Sequence, residues 1–348
     1  MNQSLRKRVL KRFLRDRKSS QAGFTLTEIL IAAIVAGLVI SGLLYLVVEL
    51  LQVDLRESAR NETQREMQNA MDYMATELRE AVYVYTGDCL NGGAGCPGIA
   101  ARLPAEVSGP TAVPVLAFWK HQRYPAGLRA ACGTTPGLTI GGRAVGCITG
   151  SSYALVVYSV TTDNPTDIWQ GRSRIVRYAL PEFTENGATW VRTPGYRNPA
   201  DATVAAPGGG AGLADPFSVW QPADPGRLQG GTTAVLVDFV DSGEGAQAAG
   251  INFPANRNAL CPPDSATTPP TQYSVSPPAT GTLPNEMGFY ACVRPYRAGF
   301  YQDVTLFLRG DAFGRPSIFE GAGFDSSFLT TLETRVLTRG VLDRIDRN

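Results

Sequence analysis

Few residues of this chain have the type and spacing needed for chemistry, and the most unusual of them is Glu28. It lies between Phe24 and the run Ile29–Val48, which contains 20 residues and no charge. A charge that enters an apolar segment of this kind costs about 2.5–3.5 kcal/mol on membrane-insertion scales, so it usually has a function and a partner. We therefore expect the Glu28 carboxylate to pair with a cation. The alternative is that Glu28 lies at the level of the lipid headgroups.

Cysteines are the second chemical feature. All six follow the apolar run: Cys89, Cys96, Cys132, Cys147, Cys261 and Cys292. An even number of cysteines in turn-rich sequence predicts disulfides if this part of the chain faces an oxidising compartment. Many connectivities are possible, and pairing of sequence neighbours predicts Cys89–Cys96, Cys132–Cys147 and Cys261–Cys292. No Cys-x-x-Cys occurs, so neither a zinc knuckle nor a thioredoxin-type site is supported.

Catalytic and metal chemistry find little support in the remaining residues. The single histidine, His121, argues against a His-based triad or a multi-His metal site. Phosphate-binding loops and nucleophile elbows are not found. Two runs hold several oxygen ligands, Asp163, Asn164 and Asp167 in one and Asp238, Asp241 and Glu244 in the other. Neither run matches the spacing of an EF-hand. The sequence predicts a protein that is not an enzyme, without a cofactor or a metal.

Charge is divided unevenly along the chain. The formal total is +1. Residues 1–23 nevertheless carry eight basic residues against one acid, and residues 24–348 carry 24 basic residues against 30 acids. Lys120 is the only lysine after residue 23. A nucleic-acid-binding domain would spread its basic residues over a folded face, so a nucleic-acid partner is not expected.

The apolar run has the length of a membrane-spanning helix, since about 20 residues cross a hydrocarbon core. Basic residues on its N-terminal side predict that residues 1–23 are cytoplasmic and that the chain after Glu49 lies outside the cytoplasm. An ordinary cleaved signal peptide has a shorter apolar region and a small-x-small cleavage site, which this segment lacks. A plain signal anchor remains open, but it leaves Glu28 unexplained.

The segment Gly23-Phe24-Thr25-Leu26-Thr27-Glu28, with a basic leader before it and an apolar helix after it, resembles the type IV prepilin signature. The resemblance implies that a membrane prepilin peptidase cuts between Gly23 and Phe24 and methylates the new amine of Phe24. In a filament of packed helices, the ammonium of Phe24 in one subunit would meet the Glu28 carboxylate of a neighbour. Pairing offsets the cost of burying both charges, so this pair would fix the axial register.

Helical periodicity continues beyond the membrane segment. Its apolar stripe consists of Met67, Met71, Met74, Leu78, Val82 and Tyr85. We expect a transmembrane and filament helix over 24–48 and an amphipathic periplasmic helix over 49–86, continuous from about Phe24 to Tyr85. The Met stripe is interpreted as core packing, and Gly87 is expected to end the helix.

The rest of the chain, residues 87–348, predicts a β-rich head. Its strand candidates are Val113–Trp119, Tyr153–Thr161, Ser173–Leu180, Ala234–Val240, Gly288–Val293, Asp303–Arg309 and Glu333–Arg339. Because no clear second helix separates them, an antiparallel sheet is expected. Residues 192–231 and 243–284 are rich in Gly and Pro, and we interpret them as long surface insertions. The predicted fold class is α+β, with a long N-terminal helix packed on an antiparallel sheet.

Further blocks carry a narrower resemblance. Residues 69–85 resemble the helix of large minor pilins and J-type pseudopilins. Short segments resemble the cyanobacterial pseudopilins of hormogonium polysaccharide secretion: 113–120, 153–158, 174–178 and 304–311. This resemblance implies a subunit of a type IV pilus-like machine that supports polysaccharide secretion and gliding motility through assembly or priming. The implied partners are prepilin peptidase, other pilins or pseudopilins, an inner-membrane assembly platform and a polysaccharide.

The implied location is the inner membrane, with one membrane span and a periplasmic head, or the cell exterior on a pilus or pseudopilus. Two kinds of alternative stay open. Within the pilin class, the protein could serve twitching, DNA uptake or type II secretion. Outside it, the protein could be a membrane-anchored extracytoplasmic enzyme or a glycan-binding protein, although no paired-carboxylate pattern indicates a glycan hydrolase.

Overall fold

The computed structural model describes residues 23–93, 95–187, 189–200, 217–224, 226–243, 260–264, 271–278, 288–297, 301–315 and 326–338. The predicted leader, apart from Gly23, and large parts of the two predicted insertions lie outside these residues. The chain divides into two compact units, Met1–Asp54 and Leu55–Asn348.

The described residues form the following elements. The helices are α1 (Leu26–Arg79), α2 (Gly87–Asn91) and α3 (Ala126–Thr134), with 3-10 turns at Ala100–Arg102 and Ser326–Phe328. The first strands are β1 (Ala81–Val84), β2 (Ala112–Arg123), β3 (Thr139–Ile140), β4 (Arg143–Ala144), β5 (Ser151–Thr161), β6 (Ser173–Leu180), β7 (Phe183–Asn186) and β8 (Thr189–Arg192). The others are β9 (Thr232–Val240), β10 (Pro263–Asp264), β11 (Thr271–Gln272), β12 (Ser274–Ser276), β13 (Phe289–Val293), β14 (Asp303–Asp311) and β15 (Leu329–Leu337).

Helix α1 ends earlier than the periodicity predicts. It contains 54 residues and stops at Arg79. The sequence predicted a continuous helix to about Tyr85 and an amphipathic helix over 49–86. Residues 81–84 instead form β1, whose four side chains are all buried. This run of Ala, Val and Tyr favours a strand, because aromatic and β-branched side chains pack well on a pleated surface. Gly87 does not end a helix but begins the short helix α2.

The head is an antiparallel β structure, and the predicted α+β fold is confirmed. Five strands pair in the order β1-β2-β5-β6-β9. Four more pair in the order β12-β13-β14-β15. The two groups join where Gly310 of β14 pairs with Val240 of β9. All seven predicted strands correspond to β2, β5, β6, β9, β13, β14 and β15; residue 339, the last of the predicted seventh strand, is not described.

One core forms between the second half of α1 and both groups of strands. Met67, Met71, Met74 and Leu78 are buried there, as the stripe predicts. Each such side chain contributes about 1.5–3 kcal/mol when it is fully removed from water. Close approach also matters, since a Cβ on Gly310 would lie 2.9 Å from Met67 Cγ. The helix therefore docks against a surface that has room only for glycine at this point.

A second core covers the opposite face of β1, β2, β5 and β6, and it corrects the interpretation of residues 192–231. Phe217 and Trp220, from the described part of this stretch, are fully buried. Trp220 packs edge-to-face on Trp119 of β2 at 5.1 Å between ring centroids. The indole Nε1 of Trp220 donates to the Arg197 carbonyl. The Gly and Pro content indicated a surface insertion, but the aromatic residues between those glycines make part of it a cover for the sheet.

Candidate assembly site

The N-terminus of α1 carries one predicted site residue, Glu28, in its first turn. Gly23 and Phe24 precede the helix without regular structure. The Glu28 backbone N–H donates to the Thr25 carbonyl at 3.0 Å and to Thr25 Oγ1 at 3.3 Å. Thr25 is thus the N-cap and Glu28 the third helical residue, at the spacing of a capping box. A carboxylate in the first turn also interacts favourably with the helix dipole.

Thr25 is the functional residue that the sequence reasoning missed. The pattern Thr-x-x-Glu immediately before an apolar run is itself a signal of a helix start, so it could have been found. Its consequence is local: the cap places Glu28 in the first turn of the helix, with Phe24 just before it. Both side chains are exposed, Phe24 at 76%.

The apolar half of α1 is exposed throughout. None of the 18 residues in its most apolar stretch is buried. Large aliphatic side chains there, such as Leu38 and Leu44, expose 60–70% of their surface. Water does not favour a continuous apolar surface of this length, which marks a membrane or protein interaction surface. Among the described residues, this is the one helix long and apolar enough to cross a membrane.

Comparison with known proteins assigns this region. Residues 18–44 match the family model described as the prokaryotic N-terminal methylation motif. This N-terminal segment is therefore similar to that of type IV prepilins. The match includes Gly23, Phe24 and Glu28, and together with the apolar helix it supports a single-pass, membrane-anchored subunit of the pilin or pseudopilin type. No curated protein and no solved structure matches this chain.

A buried carboxylate, Glu77, docks the other half of α1 on the sheet. Its oxygens accept from Lys120 Nζ of β2 and Arg177 Nη2 of β6, both at 2.8 Å. Arg177 Nε makes a second bond at 2.8 Å, and the Tyr158 hydroxyl of β5 also donates to Glu77. Glu77 itself is 7% exposed. Three strands thus converge on one carboxylate of the helix, and the single lysine after residue 23 is one of its partners.

The electrostatics of Glu77 follow from these contacts. Burial by itself would raise the pKa of this carboxyl, but the hydrogen bonds from Arg177, Lys120 and Tyr158 outweigh it and lower the pKa to about 2. Burial and the adjacent carboxylate raise the pKa of Tyr158. Glu77 is therefore ionised and Tyr158 neutral at neutral pH, which matches the donors and acceptors of the cluster.

Arg315 forms a second attachment to the same helix. Its Nε donates to Thr63 Oγ1 at 2.7 Å, and its Nη1 lies 3.0 Å from Glu62. A further ion pair joins Arg315 to Glu66. The guanidinium also stacks over Phe239 of β9, 4.2 Å from the ring centroid. This arginine is 6% exposed, and it links the helix to the end of β9, although its partners Glu62 and Glu66 are exposed.

Of the two runs that hold several oxygen ligands, the second is engaged with arginines. Asp238 pairs with Arg174 at 3.4 Å, and Asp241 pairs with Arg309. The amide of Asn164 bonds to the backbone of Trp169. Glu244 lies outside the described residues. Within the part of the chain that the structure describes, no group of three or more His, Cys, Asp or Glu is arranged to hold a metal ion.

His121 and the six cysteines have structural surroundings. The His121 ring lies 4.5 Å from that of Tyr153, between the paired strands β2 and β5. The cysteines form the three neighbour pairs: Cys89–Cys96, Cys132–Cys147 and Cys261–Cys292. The second pair connects α3 to the turn before β5, and the third connects β13 to the segment before β10. Each disulfide closes a short loop of the head.

Proposed function

We propose that this protein is a pseudopilin or minor pilin that works by assembly or priming in a type IV pilus-like machine, and not by catalysis. The match of residues 18–44 to the N-terminal methylation motif carries the proposal. Gly23 would be the residue recognised by prepilin peptidase, and Phe24 the new and methylated N-terminus. The head would lie outside the cytoplasm, where its three disulfides are stable.

The assembly step follows from the chemistry of the exposed helix start. Cleavage before Phe24 would create an ammonium next to a membrane segment that contains one carboxylate, Glu28. In a bundle of such helices, an ammonium of one subunit and Glu28 of its neighbour would neutralise each other, whereas either charge alone would be costly in the apolar core. Pairing is possible at one axial offset only, so the contact selects the register of the subunits.

We further propose that the machine supports polysaccharide secretion and gliding motility, with this subunit at the tip or in priming. The blocks at 113–120, 153–158, 174–178 and 304–311, which resemble cyanobacterial pseudopilins, support the secretion role. The size of the head, about 260 residues, supports the tip position, because such a head would crowd a tightly wound shaft. The other pilins, the assembly platform and the polysaccharide are the proposed partners.

Mass spectrometry of the N-terminal peptide tests the assembly proposal. The protein purified from its own cells should begin with N-methylated Phe24. Substitution Gly23→Val should leave the leader in place, while Gly37→Ala, inside the apolar run, should be processed normally. An N-terminus that still carries the leader in the unmodified protein would overturn the proposal and favour a membrane-anchored enzyme.

The secretion role and the tip position need separate measurements. Deletion of the gene should abolish secreted polysaccharide and gliding, and restoration of the unmodified gene should recover both. Immunogold label should concentrate at filament ends or in the membrane. Label spread along filaments would exclude the tip position, and loss of DNA uptake with normal polysaccharide secretion would favour the alternative pilin role.

A further inference from the structure

Strand β9 has an outer edge that differs from the other free edges of the head. Its inner edge pairs with β6 over residues 232–240. On the outer side, the described residues provide one pairing only, between Val240 and Gly310. The segment 232–237 thus presents backbone N–H and C=O groups without a strand partner in the described part of the chain. Thr232, Thr233 and Ala234 are exposed.

The other edges are protected in ways that are usual for natural sheets. At β1, the side-chain amide of Gln302 exchanges two hydrogen bonds of 2.8 Å with the backbone of Val84. The short strand β12 is followed by Pro277 and Pro278, which have no N–H to offer. Strand β15 carries the exposed charges Glu333 and Arg335.

Residues 232–237, Thr-Thr-Ala-Val-Leu-Val, contain none of these devices. They have no charge and no proline, and five of the six are β-branched or leucine. A bare edge of this composition is a template for another strand. Because the edges of β1, β12 and β15 in the same nine-stranded sheet are protected, the edge of β9, which has no strand partner over 232–237 among the described residues, indicates a use.

Two grooves flank this edge, one on each face of the sheet. The groove on the α1 side has a volume of about 540 Å³ and is lined by Tyr73, Ile168, Trp169 and β9 itself. Tyr73 is 45% and Ile168 66% exposed there. This groove offers an apolar surface to a side chain of an added strand.

The second groove, of about 210 Å³, lies on the opposite face. It is lined by Arg174 and Val176 of β6, which alternate with Ile175 and Arg177, the residues that face α1. Successive side chains of a strand point to opposite faces. An added strand would therefore place its side chains alternately in the two grooves.

The charges of the second groove select the side chain that fits it. Glu106 and Asp163 line it and are exposed. Its arginine, Arg174, is 1% exposed and donates to the carbonyls of Asp163 and Gly171. The accessible charge of the second groove is therefore negative, and it favours a lysine or an arginine.

We infer that the edge of β9 binds an extended segment of a partner protein by strand addition. That segment alternates apolar residues, which enter the α1-side groove, with Lys or Arg, which meet Glu106 and Asp163. Backbone hydrogen bonds supply affinity in this mode, and the alternate pockets supply specificity. The edge belongs to the head and does not depend on Phe24 or Glu28, so the inference goes beyond the assembly role.

A peptide assay on the purified full chain in detergent micelles tests this inference. The probe is a fluorescent, N-acetylated octapeptide, Thr-Val-Lys-Val-Arg-Val-Lys-Val, and its control carries Glu at each basic position. Binding is measured by anisotropy, and amide hydrogen exchange locates the contact. The basic peptide should slow exchange of residues 232–237 by about tenfold or more, and the acidic peptide should not.

A charge swap separates specific binding from a folding defect. The double variant Glu106→Lys with Asp163→Lys should prefer the acidic peptide, a gain that a misfolded protein cannot show. The matched variant Glu333→Lys, on the edge of β15, should keep the preference for the basic peptide. Equal binding of both peptides, protection elsewhere than 232–237, or protection that rises with protein concentration without peptide would each overturn the inference. The last outcome would assign the edge to a second copy of this chain.

Discussion

Two glutamates of helix α1, Glu28 and Glu77, have opposite surroundings. Glu77 is buried against three strands and has three side-chain donors. Glu28 is exposed in the first turn, and its described contacts are those of its backbone with Thr25. The chain satisfies the first carboxylate itself. We interpret the second as one whose partner belongs to another subunit.

We interpret one half of the helix as serving the folding of the head and the other half as serving assembly. The half of α1 that contains Glu77 has an apolar stripe matched by strands of the same chain. The half that contains Glu28 is apolar on all sides and exposed, which suits a membrane or a bundle of neighbouring helices. Substitutions at the two glutamates should accordingly be felt in different measurements.

The largest effect, a loss of incorporation into filaments, is expected for Glu28→Ala. Without the carboxylate, the ammonium of a neighbouring Phe24 would lie unpaired in an apolar core, so incorporation into filaments should fall by about tenfold or more. Pull-down of sheared filaments measures it, with Glu57→Ala as the control in the same helix. Unfolding of the head should be unchanged. Normal incorporation of the Glu28 variant would show that the pair does not set the register.

A loss of fold stability is expected for Glu77→Ala. Its removal leaves Lys120 and Arg177 partly buried without their carboxylate, which should lower the free energy of unfolding by about 3 kcal/mol. Denaturant titration of the head measures this change. The control Glu80→Ala removes a carboxylate that is 54% exposed and 3.2 Å from the same lysine, and it should cost less than about 1 kcal/mol. Equal effects of both variants would refute the buried role.

Acid should weaken the docking of α1. The pKa of Glu77 is lowered from 4.5 to about 2 in the folded state, so its contribution is present above pH 4.5 and is lost as the pH falls towards 2. The shift corresponds to about 3 kcal/mol. Burial raises the pKa of Asp311 from 3.8 to about 6, so that group lowers stability progressively as the pH rises from 3.8 to about 6.

The two titrations can be separated by comparison with Glu77→Gln, in which Asp311 is unchanged. The difference in unfolding free energy between the unmodified protein and this variant should shrink between pH 4.5 and pH 2. A difference that stays constant over this interval would contradict the low pKa of Glu77.

The smallest effect is expected for Tyr158→Phe. This variant removes one of the donors to Glu77 and leaves the ring in the core, so stability should fall by about 1–2 kcal/mol. Thermal unfolding measures it, and Tyr73→Phe, at a residue that is 45% exposed, is the control. If Tyr158→Phe leaves the stability unchanged, Lys120 and Arg177 alone are sufficient to hold the Glu77 carboxylate.

Local chemistry made some of these features predictable. The apolar run, Phe24 and Glu28 depend on residue type and short spacing, and the Met stripe up to Leu78 depends on a period that any helix must have. The three disulfides follow sequence neighbours because each closes a loop of at most 31 residues. The predicted end of α1 was wrong. Val82 and Tyr85 continue the helical spacing, but this part of the chain lies along β2 and pairs with it.

Contacts between distant residues could not be read in this way. Lys120, Tyr158 and Arg177 lie on three strands, and no spacing in the chain relates them to Glu77. The cover of the sheet by Phe217 and Trp220 was missed for the same reason, since glycine and proline dominate the local composition. The sequence shows that a residue is polar, but it does not show whether its partner lies 43 residues away, 100 residues away or in another molecule.

The sequence by itself determined that a long helix with an apolar stretch of membrane-spanning length lies near the N-terminus and that a β-rich head follows. These features result from hydrophobicity, charge and backbone preference, which act within a few residues. Only the tertiary structure decided that Glu77 is satisfied within the chain, that Phe217 and Trp220 cover the second core, and that residues 232–237 of β9 have no outer strand partner among the described residues. Those outcomes depend on which strands become neighbours, and that is fixed by the packing of the whole head.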